Sequence, residues 1–164
     1  MNLAFTAKIS EMNPSMIQSS SSFDQGEMEF QVLAEIEGSI FLVEPKLKIA
    51  KIDWSGVVSK DTALKLLSMG ADSVEHHNYK RLILNRANLI EFETEARIGI
   101  KKFLKMRAKR IAHLVKKMAI ITPTSVKGSI FSNLITSAIS IIIPNLQFQK
   151  FKLEQDALNW LILK

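Results

Sequence analysis

From residue 29 onward the apolar residues switch repeatedly between a period of two and a period near 3.6, an alternation that few folds accept. Phe30, Val32, Ala34 and Ile36 fall on one face of a segment whose other face carries Glu29, Gln31, Leu33 and Glu35. Gly38 marks a turn, and Ile40-Phe41-Leu42-Val43 forms a second short strand ended by Pro45. Leu47, Ile49, Lys51 and Asp53 then alternate with Lys48, Ala50, Ile52 and Trp54. Short turns between these strands predict an antiparallel meander. After it the period lengthens. Ser59 is placed to cap a helix with Asp61 in its first turn, and Ala63, Leu67, Ala71 and Val74 recur at helical spacing until His76-His77-Asn78. Arg81-Leu82-Ile83-Leu84 reads as a compact strand that leads into a polar loop, Asn85-Arg86-Ala87-Asn88.

Thr94 is placed to cap a second helix, with Glu95 in its first turn and an inner stripe of Ala96, Ile100, Phe103, Leu104, Ala108, Ile111 and Leu114. Met118-Ala119-Ile120-Ile121 is a buried strand stopped by Thr122-Pro123-Thr124. A third helix is expected from about Ser125 to Ile142, ended by Pro144-Asn145, and Leu146 to Phe151 forms the last strand. The chain closes on a short helix that buries Ala157, Leu158, Trp160 and Leu161. The order is β-β-β-α-β-α-β-α-β-α. Strands alternating with helices imply an α/β layer structure with parallel pairing wherever a helix crosses over, and the opening meander makes the sheet mixed.

The 164 residues, 47% of them hydrophobic, suit one domain with a real core. That domain is expected over 26–164. Residues 1–25 read as a disordered tail, because Ser19-Ser20-Ser21-Ser22 lies between Asn13-Pro14 and Asp24-Gln25-Gly26. Met12, Met16 and Met28 are alternative starts. The N-terminus shows no secretory pattern. The absence of cysteine excludes disulfides, thiolate metal sites and cysteine nucleophiles, and suits a cytoplasmic protein. The most apolar segment, Ile130 to Ile143, is shorter than a membrane span and is interrupted by Ser132, Asn133, Thr136, Ser137 and Ser140, so no integral membrane segment is expected.

The net charge of +6 conceals an asymmetry: residues 1–95 carry 14 acidic and 9 basic side chains, residues 96–164 carry 2 and 13. Such a split marks either an anionic partner or two halves that face each other.

Four passages in this order resemble the STAS/SpoIIAA-like family of small bacterial proteins, which is related to the CRAL-TRIO fold. They are Ile52-Asp53-Trp54-Ser55-Gly56 with Val58-Ser59; Leu82 to Leu89 with Glu95-Ala96-Arg97; Met118 to Pro123; and Phe151 with Asp156 to Leu161. The resemblance covers roughly residues 39–163. It implies a mixed sheet packed by helices and no general catalytic chemistry. Better understood relatives are anti-sigma-factor antagonists and sensory or transporter-associated modules, and the antagonists carry a phosphorylatable serine or threonine in the loop before the second helix. Here Asn85 to Glu93 contains neither, and Thr94 is better used as a cap, which counts against a phospho-switch at the usual place.

Ligands of α/β folds favour the carboxyl ends of strands beside helix N-termini. Asn85, Arg86 and Asn88, with Thr94 beyond them, therefore form the first candidate site, Arg86 being suited to a carboxylate or phosphate. The competing account makes the asparagines turn-formers and pairs Arg86 with Glu91 or Glu93. Thr122, Thr124 and Ser125 occupy the equivalent place on the next strand, where Thr124 or Ser125 also serves as an ordinary cap. Arg97, Lys101, Lys105 and Lys109 stack along one helix face, suited to acidic lipid, nucleic acid or an acidic protein, or simply to solvent. Ser132, Asn133, Thr136 and Ser140 give the third helix a small, uncharged side fit for a homodimer contact or a lipid-facing surface, unless it is buried. His76, His77 and His113 lack metal-ligand spacing, and no P-loop, G-x-G-x-x-G, G-x-S-x-G or H-E-x-x-H pattern occurs. The expectation is a protein that is not an enzyme, needs no cofactor and acts by binding. It reads first as a regulatory or protein-interaction module with an unknown protein partner. The alternative is a carrier or sensor of a small anionic or lipid-like ligand. A third reading has the basic helix bind acidic membrane or nucleic acid peripherally.

Overall fold

The computed structural model describes residues 28–124 and 146–163, with the side chains of 108 and 109 left out. One six-stranded sheet runs through them in sequence order. Its strands are β1 (Gln31–Ile36), β2 (Ser39–Glu44), β3 (Ile49–Val58), β4 (Arg81–Phe92), β5 (Lys117–Ile121) and β6 (Gln147–Phe151). The first three pair antiparallel and the last four parallel, so the sheet is mixed and the fold is α/β. Helix α1 (Lys60–His77) crosses from β3 to β4 and α2 (Thr94–Ile111) from β4 to β5. The closing helix, α3 here, spans Glu154–Ile162. The expected tail, the helix expected after Thr124 and its candidates Ser125, Ser132, Asn133, Thr136 and Ser140 lie outside the described residues.

The pleat sorts the central strands between two cores. Ala50, Ile52 and Trp54, with Leu82, Leu84, Met118 and Ile120, face α1 and α2, where Ala63, Leu66, Val74, Ala96 and Ile100 meet them. Ile49, Ile83, Ala119 and Ile121 point the other way, onto Ala157, Leu158 and Leu161 of α3. Double coverage explains why β4 begins, and β5 continues, as unbroken apolar runs. Trp54 and Phe92 close the first core edge to face, ring centroids 5.2 Å apart.

Turns and caps match the local chemistry. Ile36 pairs with Ser39 across a two-residue turn in which Glu37 and Gly38 both have positive φ, the geometry a tight hairpin demands. Ser59 caps α1, its Oγ accepting from the Thr62 amide at 3.3 Å. Glu37 reaches over from the hairpin, and its Oε2 accepts from Thr62 Oγ1 at 2.7 Å and Ser59 Oγ at 2.9 Å. These hydroxyls hold its carboxyl below the usual carboxylate range. Asn78 ends α1 in the left-handed conformation that asparagine tolerates.

Helix α3 has only nine residues, too few to be stable alone, and cations hold its carboxyl end. Arg81 Nε donates to the Leu161 carbonyl at 2.9 Å. Lys117, the β5 partner of Arg81, donates to the carbonyls of Trp160 at 3.1 Å and Leu163 at 2.5 Å.

Two expectations need correction. Asn85 to Asn88 is not a loop, because β4 runs on to Phe92 by pairing with a β3 that itself extends to Val58. The register slips twice there, between Asn85 and Asn88 and between Leu89 and Glu91, each time with one extra residue in β4; Gly56 of β3 lies between the two slips with a φ of 66°. Thr94 is the first helical residue of α2 rather than its cap; the Glu93 carbonyl accepts the first helical amide, that of Arg97, at 3.0 Å.

Replacing Ser59 with alanine removes the α1 cap and one donor to Glu37. We expect a loss of about 1 kcal/mol in urea unfolding, with an unchanged m-value.

Candidate functional site

On the helical side of the sheet α1 presents Gly70 and Ala71 opposite Ala50 of β3, and so much small residue volume leaves a void of about 80 Å³. Phe103 and Leu104 of α2, with Trp54 and Phe92, complete an apolar wall. Arg86 is the one charged side chain among the lining residues. Leu82, Leu84 and Arg86 share the face of β4 that looks at the helices, and Arg86 is 2% exposed. Burial lowers its pKa to about 10, so it is still a cation at neutral pH. The folded state holds this proton less firmly than the unfolded chain, and stability therefore rises with pH above about 10.

The pleat separates residues that a loop would have kept together. Asn85 points to the opposite face, where its Nδ2 lies 3.4 Å from Glu154 Oε2 and its Oδ1 accepts from the Ala87 amide at 3.0 Å. Asn88 and Thr94 are exposed. Thr122 bonds the Phe151 carbonyl through both its amide (2.9 Å) and its hydroxyl (3.1 Å). Thr124 Oγ1 donates to the Ala87 carbonyl at 3.1 Å. These hydroxyls tie loops to strands, and Ser125, the third member of the expected anion cradle, lies outside the described residues.

The basic face is also divided. Lys101 and Lys105 are exposed, whereas Arg97 is half-buried and its Nε donates to the Phe92 carbonyl at 2.8 Å; the side chain of Lys109 is outside the description. Arg107 turns inward and bonds Ser68 Oγ (2.9 Å), Asp72 (2.7 Å) and Glu75 (3.4 Å) on α1. Part of the charge asymmetry is thus internal. Asp72, Glu75 and His76 lie close enough to share a metal ion, but the cation beside Asp72 and Glu75 is the Arg107 guanidinium. His77 and His113 are exposed.

A second polar cluster, on the α3 side, escaped the sequence reading. Lys51 Nζ lies 3.1 Å from Asp53 Oδ2 and 2.6 Å from Glu154 Oε1, with its side chain only 8% exposed, and it sits 4.9 Å from the centre of the Phe30 ring. Desolvation raises the Asp53 pKa despite Lys51 and Asn85, with the Glu154 charge adding to the rise. One Asp53 oxygen, Oδ1, is buried without a hydrogen-bond donor. The signal was present, since the alternation from Leu47 to Asp53 places Lys51 on the same face as Ile49. The missing information was that this face is covered by a helix whose first residue is an acid.

No protein-family model matches the chain, and no curated protein matches it. Among solved structures, it is similar to an uncharacterized protein of the DUF3478 family with a SpoIIAA-like fold from Shewanella loihica. Identity is 15%, the TM-score is 0.48, and the match covers 81% of this chain and 92% of that one. No helix among the described residues is long and apolar enough to cross a membrane.

Replacing Lys51 with methionine leaves Asp53 and Glu154 facing each other with no cation between them. We expect a loss of about 3 kcal/mol at pH 7. Without Lys51 the Asp53 pKa rises further above its unfolded value, so the folded variant gains protons as pH falls. Unfolding at pH 7 and pH 4 should therefore show the gap from wild type shrinking at the lower pH.

Proposed function

We propose that this protein is a non-enzymatic sensor or carrier whose ligand is a small apolar anion, held in the cavity under α1 and α2 with its charged head at Arg86. The observation that carries this reading is a fully buried cation in an otherwise apolar wall. A guanidinium offers a planar fork to a carboxylate, and the low-dielectric surroundings strengthen the pair. Among the described residues lining the cavity there is no nucleophile, general base or second titratable group beside Arg86, an arrangement that suits holding a ligand rather than transforming it. The resemblance to the STAS/SpoIIAA-like family and its CRAL-TRIO relation supports the same choice.

The cavity limits the ligand. An engineered apolar cavity of about 150 Å³ holds benzene, and this one is about 80 Å³. The apolar body that fits with α1 and α2 in place is about three or four carbon atoms. A regulatory role follows naturally, because a ligand here bridges the sheet to two helices whose outer faces meet solvent.

Thermal unfolding with straight-chain carboxylates from acetate to hexanoate tests the reading. We expect the largest stabilisation near butyrate and none from the matching alcohols. Arg86→Met should abolish the effect, since it removes the cation that holds the carboxylate. Ala71→Leu should fill the cavity and abolish binding with Arg86 intact. Failure of every carboxylate to raise Tm, together with a native mass spectrum of the freshly purified protein free of adducts, would overturn the proposal.

A further inference from the structure

The outer surface of the same helix pair holds a second recess that needs no ligand in the cavity. Ile98, Lys102 and Met106 follow one another at intervals of four along α2, so they stack on one face. Ile98 is 51% and Met106 77% exposed, an unusual outlay of apolar surface for a helix this basic. Between this row and Lys60 and Leu64 of α1 runs a groove of about 480 Å³, with Gly99 and Phe103 in its floor. Gly99 has no side chain to fill that floor, and a Cβ there would stand 3.5 Å from both Leu64 methyls. Lys60 and Lys102 line the groove, Lys101 and Lys105 are exposed on the same helix, and Glu95 is the one acid in the lining.

We infer that this groove docks an acidic amphipathic helix of a protein partner. An apolar strip walled by two helices is the shape that helix-in-groove recognition uses, read by anchors at i, i+3 or i+4, and i+7. From Ile98 to Met106 the strip is about 12 Å long, which matches two turns of a docking helix. The lysines on its margins set the charge of the partner: carboxylates beside the anchors gain contacts there, and lysines would be repelled. A nucleic acid finds no exposed aromatic platform among these residues. A bilayer surface is flat, whereas this strip is concave.

The test uses the whole protein and a fluorescein-labelled synthetic helix with leucine at i, i+4 and i+7 flanked by glutamates. Its control keeps the leucines and replaces the glutamates with lysines. Anisotropy should show the acidic peptide binding at least tenfold more tightly than the control, and more weakly as salt is raised. Ile98→Glu and Lys102→Glu, both at exposed positions, should each weaken it at least tenfold without lowering Tm. Equal affinity for the two peptides, or no effect of either substitution, would overturn the inference. So would sedimentation of the protein with phosphatidylglycerol vesicles, weakened by the same substitutions, without peptide binding; the groove would then serve a membrane surface.

Discussion

Parallel strands must be covered on both faces, and most of this structure follows from that one requirement. Ile49, Ile83, Ala119 and Ile121 bury against one layer, while Ala50, Ile52, Leu84 and Ile120 bury against the other. Helices α1 and α2 are long enough to present continuous apolar stripes to their side. The opposite face is left to α3, which is short and presents three fully buried side chains. Lys51 at its amino end and Arg81 and Lys117 at its carboxyl end supply what its length does not. The basic residues at the starts of β4 and β5 are therefore structural parts of the sheet–helix joint.

Much of the architecture was legible because the two periods are clean. The meander, the Ser59 cap, the compact strands at Leu82 and Met118, and the closing helix are found where patterning puts them, with Ala157, Leu158 and Leu161 buried as expected and Trp160 only half-buried. The failure at Asn85 to Asn88 is instructive. The pairing of β4 with β5 ends at Asn85, and beyond it β4 continues against β3 alone. Polar residues are tolerated where one neighbour has gone, and in a single sequence that tolerance looks like a loop. Arg86 drew notice for its chemistry, but its role depends on the pleat, which points it inward and sends Asn85 to the other side. The void beside it comes from Gly70, Ala71 and Ala50 meeting across a layer, a coincidence of small residues distant in sequence and invisible to periodicity.

The charged side chains have three uses. Arg107 engages Asp72 and Glu75 between α1 and α2, and Lys51 engages Glu154 across 103 positions of sequence. The first pair joins a base of the basic half to acids of the acidic half; the second runs the other way, a base of the acidic half with an acid of the basic half. What remains for solvent or a partner on α2 is the row of lysines around Ile98 and Met106. Phe103 stands between the two recesses, lining the inner cavity with one part of its surroundings and the outer groove with another. A shift of that ring would change the shape of both recesses.

The position of α3 at the far end of the chain has a consequence for the protein during its synthesis. Ribosomes deliver the amino-terminal portion first, at about 5–20 residues per second. The meander, α1, β4, α2 and β5 all emerge before the residues that cover Ile49, Ile83 and Ala119. Until then the face of Ile49, Ile83 and Ala119 lacks its covering helix and has only Met28, Phe30, Leu47 and Ala87 beside it. That face is the surface on which a nascent chain would need a chaperone, and its shielding ends when residues 154–162 arrive and lock onto Lys51, Arg81 and Lys117.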